Sequence, residues 1–184
     1  YNPTSSENVP PVVNEVINSS GSALDSTSKN YMATRFGQDF SSVRIHTDDR
    51  AQESASLVNA AAYTVGDNIV FGHGQFRPDD PRGKGLLAHE LSHVIQQRQG
   101  VRNGHSLSDE ILEKEADSAA SSVMEGKSAN VTGATVPRLS RLTSEEAQRK
   151  LWSLVPAAVK PYARPIAAQA RGLIDTVVPP TMEL

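Results

Sequence analysis

The chain has 184 residues, of which 38% are hydrophobic and 21% are charged, so it is long enough for one domain of common size plus an extension. Its formal net charge of -3 argues against nucleic acid or an anionic membrane surface as the main partner. The absence of cysteine excludes a disulfide framework and leaves histidine and carboxylate as the available metal ligands. No apolar run approaches the roughly 20 residues of a spanning helix, and residues 1–6 lack the regions of a signal peptide, so neither is predicted in this fragment.

The first half of the chain is predicted to alternate helices with short strands. Residues 1–21 are rich in Ser, Asn and Pro and are interpreted as an N-terminal segment. Helical spacing of apolar residues before Gly37 and apolar–polar alternation at Val43 to His46 predict a helix followed by a half-buried strand. The predicted elements, in chain order, are a helix over 24–36, a strand over 40–46, a helix over 47–60, and strands over 62–65 and 68–71.

The second half is predicted to be helical. Asp80 and Pro81 are typical of an N-cap and a first helical residue, but two glycines in the first turn favour a regular helix that begins nearer Leu86. The predicted elements are helices over 81–100 and 106–126, a Ser/Thr/Gly-rich linker over 127–140, and helices over 143–155 and 166–178. The chain is therefore divided into an N-terminal segment (1–21), a compact α+β domain (22–127), and a linker with a helical C-terminal extension (128–184).

One predicted helix carries the H-E-x-x-H pattern, with histidines at positions 89 and 93. Residues four apart lie on one face of a helix, so His89 and His93 can direct imidazole nitrogens at one point, as two ligands of a tetrahedral zinc ion require. Glu90 is turned about 100° from His89 by the helical repeat, so it can reach a zinc-bound water without being a ligand. Apolar neighbours indicate a core-packed helix, which argues against the alternative of two solvent-facing histidines.

The next predicted helix supplies candidates for the rest of a metal site. Glu113 and Asp117 are four residues apart and share one helical face. Glu113 as third zinc ligand, with Asp117 bonding the outer nitrogen of a ligand histidine, would complete the ligand set and its support. The alternative for this helix is a solvated acidic face that also includes Glu110 and Glu115.

The spacing of His89, His93, Glu113 and Asp117 resembles the gluzincin arrangement of thermolysin-like and minigluzincin metallopeptidases. Segments within about 20–127 more closely resemble the core domain of proteins from extracellular contractile injection systems, a bacterial family regarded as metallopeptidases and often found at the front of toxins or effectors. These segments are RFGQDFSSVRIH at 35–46, AYTVG at 62–66, NIVFG at 68–72 and LLAHELSHVIQQ at 86–97. The resemblance implies a zincin fold, in which a small sheet packs with an active-site helix and a second ligand helix, and Zn2+ bound by the two histidines and the later glutamate.

The resemblance also bears on the remaining candidates. By the family pattern Glu113 is the ligand, and Glu115 is a competitor that would point about 200° away on the helix. Thermolysin-like enzymes place an oxyanion-stabilising side chain in the region after the first ligand helix, which makes His105 a candidate catalytic residue beside Glu90. Tyr63 is an alternative for that role, although its strand position favours core packing.

Two other histidines and one strand are also interpreted. His73 lies in a loop near the start of the zinc helix and is a weaker candidate for contacting substrate. His46 ends a strand and is interpreted as structural or surface-exposed. The strand Asn68–Phe71, just before the zinc helix, is predicted to be a sheet edge that holds substrate as an added strand.

Together, these features and the family resemblance predict a zinc-dependent endopeptidase, and the resemblance implies that it belongs to an effector or toxin associated with a contractile injection system. Its substrate is a peptide or protein that can include its own chain, and the extension is also a candidate inhibitory segment in the cleft. The expected location is the bacterial cytoplasm before loading, followed by secretion or delivery by an injection system. The alternative is a non-catalytic packaging or docking domain that binds particle proteins and carries a structural zinc. Glu90 favours the catalytic interpretation over the docking one, because a structural zinc site needs no general base.

Overall fold

The computed structural model describes residues 10–103, 107–133 and 140–143. The elements in these ranges are α1 (Pro11–Ile17), β1 (Ser22–Ala23), α2 (Ser26–Phe36), β2 (Arg44–His46), α3 (Asp49–Leu57), β3 (Ala60–Val65), β4 (Asn68–Phe71), α4 (Pro81–Asn103), α5 (Asp109–Met124) and β5 (Ser140–Thr143). The mixture of helices with one small sheet confirms the predicted α+β class. The helix predicted over 143–155, apart from its first residue, and the helix predicted over 166–178 lie outside the described residues.

The strands form one mixed sheet in the order β1-β2-β4-β3-β5. β2 and β4 are parallel, with Ile45 opposite Ile69, and the other neighbouring pairs are antiparallel. The prediction that Asn68–Phe71 is an edge strand is therefore wrong. β4 is central because the tight turn at Gly66 pairs one of its sides with β3, while the crossover through α3 brings β2 to its other side.

The sheet is covered on both faces because side chains along β3 and β4 alternate between two cores. Ala62 and Ile69 pack in the larger core with α2, α4 and α5. Tyr63 and Val70 pack on the opposite face in a smaller core with α1 and α3. α1 comes from the predicted N-terminal segment, so part of that segment belongs to the core, while the predicted division into three parts remains a prediction.

The central helix is α4, which has 23 residues. Every residue from Leu86 to Gln97 is buried, so this stretch must be apolar or hydrogen-bonded around its whole circumference. Burial on all sides restricts the rotamers of the polar side chains that the stretch contains. Among the described helices, none combines the length and apolar character needed to cross a membrane.

The start of α4 follows from its capping residue. The helix begins at Pro81, and the Asp80 carboxylate accepts a hydrogen bond from the backbone N–H of Gly83 at 3.3 Å, as the predicted N-cap implies. The expectation of a regular start nearer Leu86 is wrong, because the glycine serves a packing role. A Cβ at position 83 would lie 2.2 Å from the carbonyl oxygen of Arg77, so glycine lets the preceding loop pack on the first turn.

The strand β5 differs from the sequence-based prediction. Residues 140–143 lie where the predicted linker ends and a helix begins, and that prediction is wrong for these residues. Ser140–Thr143 pairs with β3 instead, with Ser140 opposite Thr64 and Arg141 opposite Tyr63. Strand formation here follows from the available edge of β3 rather than from a local pattern, because pairing context outweighs intrinsic strand propensity.

Candidate metal centre

The two histidines of the motif converge inside the protein. His89 and His93 lie on one face of α4, and each side chain is only 1% exposed. Their Nε2 atoms are 3.1 Å apart. The helical spacing of four residues therefore places two nitrogen lone pairs at one point, as predicted from the sequence.

Glu113 of α5 completes the cluster. Its Oε2 lies 3.4 Å from His89 Nε2, and its Oε1 lies 3.2 Å from His93 Nε2. One ligand atom from each of the three residues lies within 4.8 Å of the others. Two imidazole nitrogens and a carboxylate oxygen in this arrangement can hold a metal ion. The site forms because α5 packs on α4 and brings Glu113 next to the two histidines.

The outer nitrogens of both histidines have acceptors. His89 Nδ1 lies 3.1 Å from Asp117 Oδ1, where the sequence predicts the supporting carboxylate. His93 Nδ1 lies 2.9 Å from Oε1 of Gln96, whose amide Nε2 donates to the backbone oxygen of Leu112 at 2.9 Å. Acceptors at both Nδ1 atoms favour the tautomer that leaves Nε2 free to bind a metal.

Gln96 is a residue of the site that the sequence interpretation missed. It is fully buried and connects the ligand helix to α5 through its hydrogen bonds to Leu112 and Glu115. Its position three residues after His93 places it on the same helical face. That spacing, together with the ability of an amide to accept from one group while donating to another, was the signal available in the sequence.

Glu90 lies beside the cluster with no exposure to solvent. Thr64 of β3 donates a hydrogen bond from its hydroxyl to Glu90 Oε2 at 2.6 Å. Glu90 Oε1 is buried and has no hydrogen-bond partner among the described residues. A buried carboxylate with one oxygen oriented and the other available can accept a proton from a water molecule at the metal cluster.

Thr64 is the second residue that the sequence interpretation missed. Its strand is held against α4 by Gln97, whose Nε2 donates to the Thr64 carbonyl at 3.3 Å and whose Oε1 accepts from the Gly66 N–H at 2.6 Å. The hydroxyl of Thr64 is therefore fixed at Glu90 by main-chain contacts on the strand. A threonine within a buried strand has no local pattern that marks it as part of a site 26 residues away in the sequence.

Glu115, the competing ligand candidate, points elsewhere. Its Oε1 accepts hydrogen bonds from the backbone N–H of Thr132 at 2.8 Å and of Gly133 at 3.0 Å. Its Oε2 accepts a hydrogen bond from Gln96 at 2.9 Å. Glu115 therefore anchors the segment after α5 and does not enter the metal cluster, in agreement with the helical geometry.

Of the other candidate residues, those that the structure describes lie outside the cluster. His105 lies outside the described residues, so its assignment as a catalytic residue stays a prediction. The Tyr63 hydroxyl is 2.6 Å from Ser54 Oγ in the smaller core, on the opposite face of the sheet from α4. His73 is exposed and contacts Gln52. His46 is buried with its Nε2 3.0 Å from Asn68 Oδ1, consistent with a structural role.

The electrostatics of the cluster are strongly coupled. Burial alone would lower the pKa of His89, but hydrogen bonds to Asp117 and Glu113 outweigh it and raise this pKa to about 9. Burial alone would raise the pKa of Glu113, but its hydrogen bonds to His89 and His93 prevail and lower that pKa well below its ordinary value. Burial also raises the pKa of Glu90, against the attraction of the neighbouring histidines.

We expect chelator-treated protein to lose stability as the pH rises from 6.5 to about 9. The folded-state pKa of His89 lies above its unfolded value of 6.5, so its contribution is complete below pH 6.5 and disappears by about pH 9. The free energy of unfolding, measured by urea denaturation at both pH values, should fall by about 3 kcal/mol. Asp117→Asn should reduce this fall. A free energy of unfolding that is flat or rises with pH would contradict the prediction.

Residues 23–101 match the model of the eCIS core domain family. No curated protein and no solved structure matches the chain. The match to the eCIS core domain supports a link between this segment and contractile injection systems.

The eCIS core match includes part of the candidate site. Within residues 23–101 lie the strand that carries Thr64 and the helix that carries His89, Glu90 and His93. Glu113 and Asp117 lie beyond the matched segment, as does β5. The assignment of Glu113 as the third ligand is therefore based on the packing of α5 against α4 and not on the family match.

Proposed function

We propose that the chain is a zinc-dependent endopeptidase of the gluzincin type, with a zincin-like fold, in an effector or toxin associated with a contractile injection system. The observation that carries this proposal is Glu90, which lies fully buried beside the His89, His93 and Glu113 cluster, with one carboxylate oxygen that has no hydrogen-bond partner in the described part of the chain. Burying a carboxylate costs free energy unless both oxygens are paired or hydrogen-bonded, so a buried carboxylate with one oxygen left over is more typical of a functional site than of a structural one. Here the proposed function is proton transfer next to a metal.

The donor set fits zinc. Two imidazole nitrogens and one carboxylate oxygen form a ligand set typical of catalytic zinc, which keeps a further coordination position open. Asp117 and Gln96 orient the two rings through their Nδ1 atoms. Zinc bound by His89, His93 and Glu113 would supply a water of lowered pKa and polarise a substrate carbonyl.

Glu90 and Thr64 have different roles in the proposed hydrolysis. Glu90 accepts a proton from the attacking water and delivers it to the leaving amine of the cleaved peptide bond. Thr64 holds Glu90 Oε2 and so fixes the orientation of the carboxylate. Burial raises the pKa of Glu90, which brings the carboxyl closer to the working pH and suits it to both acceptance and release of a proton.

The substrate class is a peptide or protein, and it can include the protein's own chain beyond the α5 helix. The eCIS core match supports a life cycle in which the protein is loaded into an injection particle in the bacterial cytoplasm and then delivered. Proteins of the particle are therefore the proposed partners.

The same match supports a second candidate function, a packaging or docking domain with a structural zinc. The buried Glu90 favours catalysis, because docking gives no reason to bury an ionisable group there.

Metal content and chelation test the proposal directly. We expect the purified protein to contain about one zinc per chain, consistent with one cluster of three ligands among the described residues. It should cleave casein, and cleavage should stop after treatment with a chelator and return when zinc is added. Zinc binding without cleavage of casein or of its own chain would favour the docking function. A protein that binds no zinc would contradict both.

A further inference from the structure

One edge of β3 lies beside the candidate site, because Thr64 of this strand contacts Glu90. We propose that this edge is a binding site for an extended peptide, and that Ser140–Thr143 of the same chain occupies it as β5. The inference deepens the proposed function, because the peptide that β5 excludes would be the substrate. It also corrects the position of the predicted substrate strand, since β3 takes the role that the sequence interpretation assigned to Asn68–Phe71.

The pairing pattern supports a strand-binding edge. β3 uses one side to pair with β4, and its other side pairs only with β5 among the described residues. Without β5 this second side would present a row of N–H and C=O groups to any extended chain. Peptides bind such edges through main-chain hydrogen bonds, with little demand on side-chain sequence.

The edge runs directly past the residues that act on the proton. Ser140 of β5 is opposite Thr64 of β3. The hydroxyl of Thr64 is 2.6 Å from Glu90 Oε2. A strand on this edge therefore passes Thr64, the residue of β3 that donates to the proposed base, and a scissile peptide has to lie near that base.

The occupant is held close by the segment that precedes it. The backbone N–H of Ala129 donates to the Arg35 carbonyl at 2.8 Å, and Gln99 donates to the Val131 carbonyl at 2.7 Å. Gly133 lies against Glu115, and a Cβ there would be 2.5 Å from Glu115 Oε2, so this close approach needs glycine. The chain is therefore anchored on α2, α4 and α5 shortly before it forms β5.

Anchoring explains how so short a strand holds the edge. A short tether gives a local concentration on the order of millimolar, which compensates for weak intrinsic pairing. β5 has four residues, and its register with β3 is shifted between Ala60 and Ala62. Short, irregular strands open readily, so a longer peptide that pairs along more of β3 can displace β5.

A proline substitution in β5 tests the proposal. Leu142→Pro removes a backbone N–H and disfavours strand pairing, whereas the matched variant Leu142→Ala keeps the backbone intact. The probe is a fluorescently labelled synthetic peptide of residues 138–145, added to full-length chains that also carry Glu90→Gln so that it is not cleaved. We expect Leu142→Pro to bind the probe about tenfold more tightly than wild type or Leu142→Ala, because the tethered competitor is gone. Equal affinity for the three proteins would overturn the proposal.

A disulfide tests the same pairing without disrupting it. Ala62 of β3 and Leu142 of β5 are directly opposite each other, and the distance between opposite residues of paired strands suits a disulfide. The natural chain has no cysteine that could compete for this bond. Ala62→Cys with Leu142→Cys should form a disulfide under mild oxidation, lose probe binding, and regain the wild-type level after reduction. Failure to form the bond in folded, zinc-loaded protein would overturn the pairing.

Cleavage of casein separates this inference from the proposed function. If Leu142→Pro with Glu90 intact cleaves casein faster than Leu142→Ala, both are supported. If no variant cleaves casein but the probe binds as expected, the peptidase proposal fails and β3 stands as a docking edge for peptides. If wild type cleaves casein and neither probe binding nor cleavage changes with Leu142→Pro, the peptidase proposal stands and the role of β5 is overturned.

Discussion

Glu90→Gln should abolish peptide cleavage while leaving the metal in place. The amide cannot accept the proton that the carboxylate accepts, so the rate should fall by roughly 10²–10⁴-fold, the usual contribution of a positioned acid or base. Zinc content should stay within about twofold of wild type, because Glu90 is not one of the three residues whose ligand atoms converge. Casein cleavage and metal analysis on the same preparation measure both quantities.

The same substitution should not destabilise the fold. Glu90 is fully buried with a raised pKa, so replacing a carboxylate by a neutral amide of similar shape removes the cost of burying a charge. The Thr64 hydroxyl can still donate to the amide oxygen, as it donates to Glu90 Oε2 in wild type. Thermal unfolding of the zinc-free proteins should give a midpoint equal to wild type or higher.

Glu110→Gln is the matched control, because Glu110 is an exposed glutamate on α5. It removes the same charge and should change neither cleavage nor zinc content. Full cleavage by zinc-loaded Glu90→Gln would contradict the role of Glu90 as base. Loss of zinc together with cleavage would instead assign Glu90 to metal binding.

How much of the site could be predicted depends on the range of the interactions involved. His89, His93, Glu113 and Asp117 could be placed because helical periodicity relates residues within each helix, and the structure brings all four together. Gln96 was within the same reach but was overlooked, since its role needs both an acceptor and a donor group at once. The helix pattern thus specifies which side chains share a face.

Contacts that depend on strand pairing could not be predicted in the same way. Thr64 meets Glu90 only because β3 packs on α4, and no local pattern marks that encounter. The central position of β4 and the pairing of β5 with β3 are long-range choices among several possible registers. Period-two alternation predicts which residues share a face of a strand, but it carries no information about which strand becomes its neighbour.

Substitutions on α5 should reduce zinc affinity in a graded way. Glu113→Gln replaces a charged oxygen ligand, whose Oε1 and Oε2 lie 3.2 and 3.4 Å from the two Nε2 atoms, by a neutral and poorer one. We expect a loss of more than about 100-fold, above the range found for supporting residues. Asp117→Asn keeps an acceptor for His89 Nδ1 but removes its charge, so the loss should be about 10–100-fold.

Glu115→Gln separates the ligand from its competitor on the same helix. Glu115 lies outside the cluster, where it accepts hydrogen bonds from the backbone of residues 132–133 and from Gln96. Because Gln96 keeps its hydrogen bond to the Leu112 carbonyl, this change should leave zinc affinity within about threefold of wild type, less than the change expected for a residue that bonds a ligand directly. Competition with a chromophoric chelator at pH 7.5 gives the affinity of each variant, and urea denaturation of the zinc-free proteins separates metal loss from unfolding. If Glu115→Gln weakened zinc more than Glu113→Gln, the ligand assignment would be reversed. If neither substitution changed zinc affinity, α5 would contribute no ligand. The two histidines of α4 would then be the only protein ligands, which is too few for the tetrahedral site proposed.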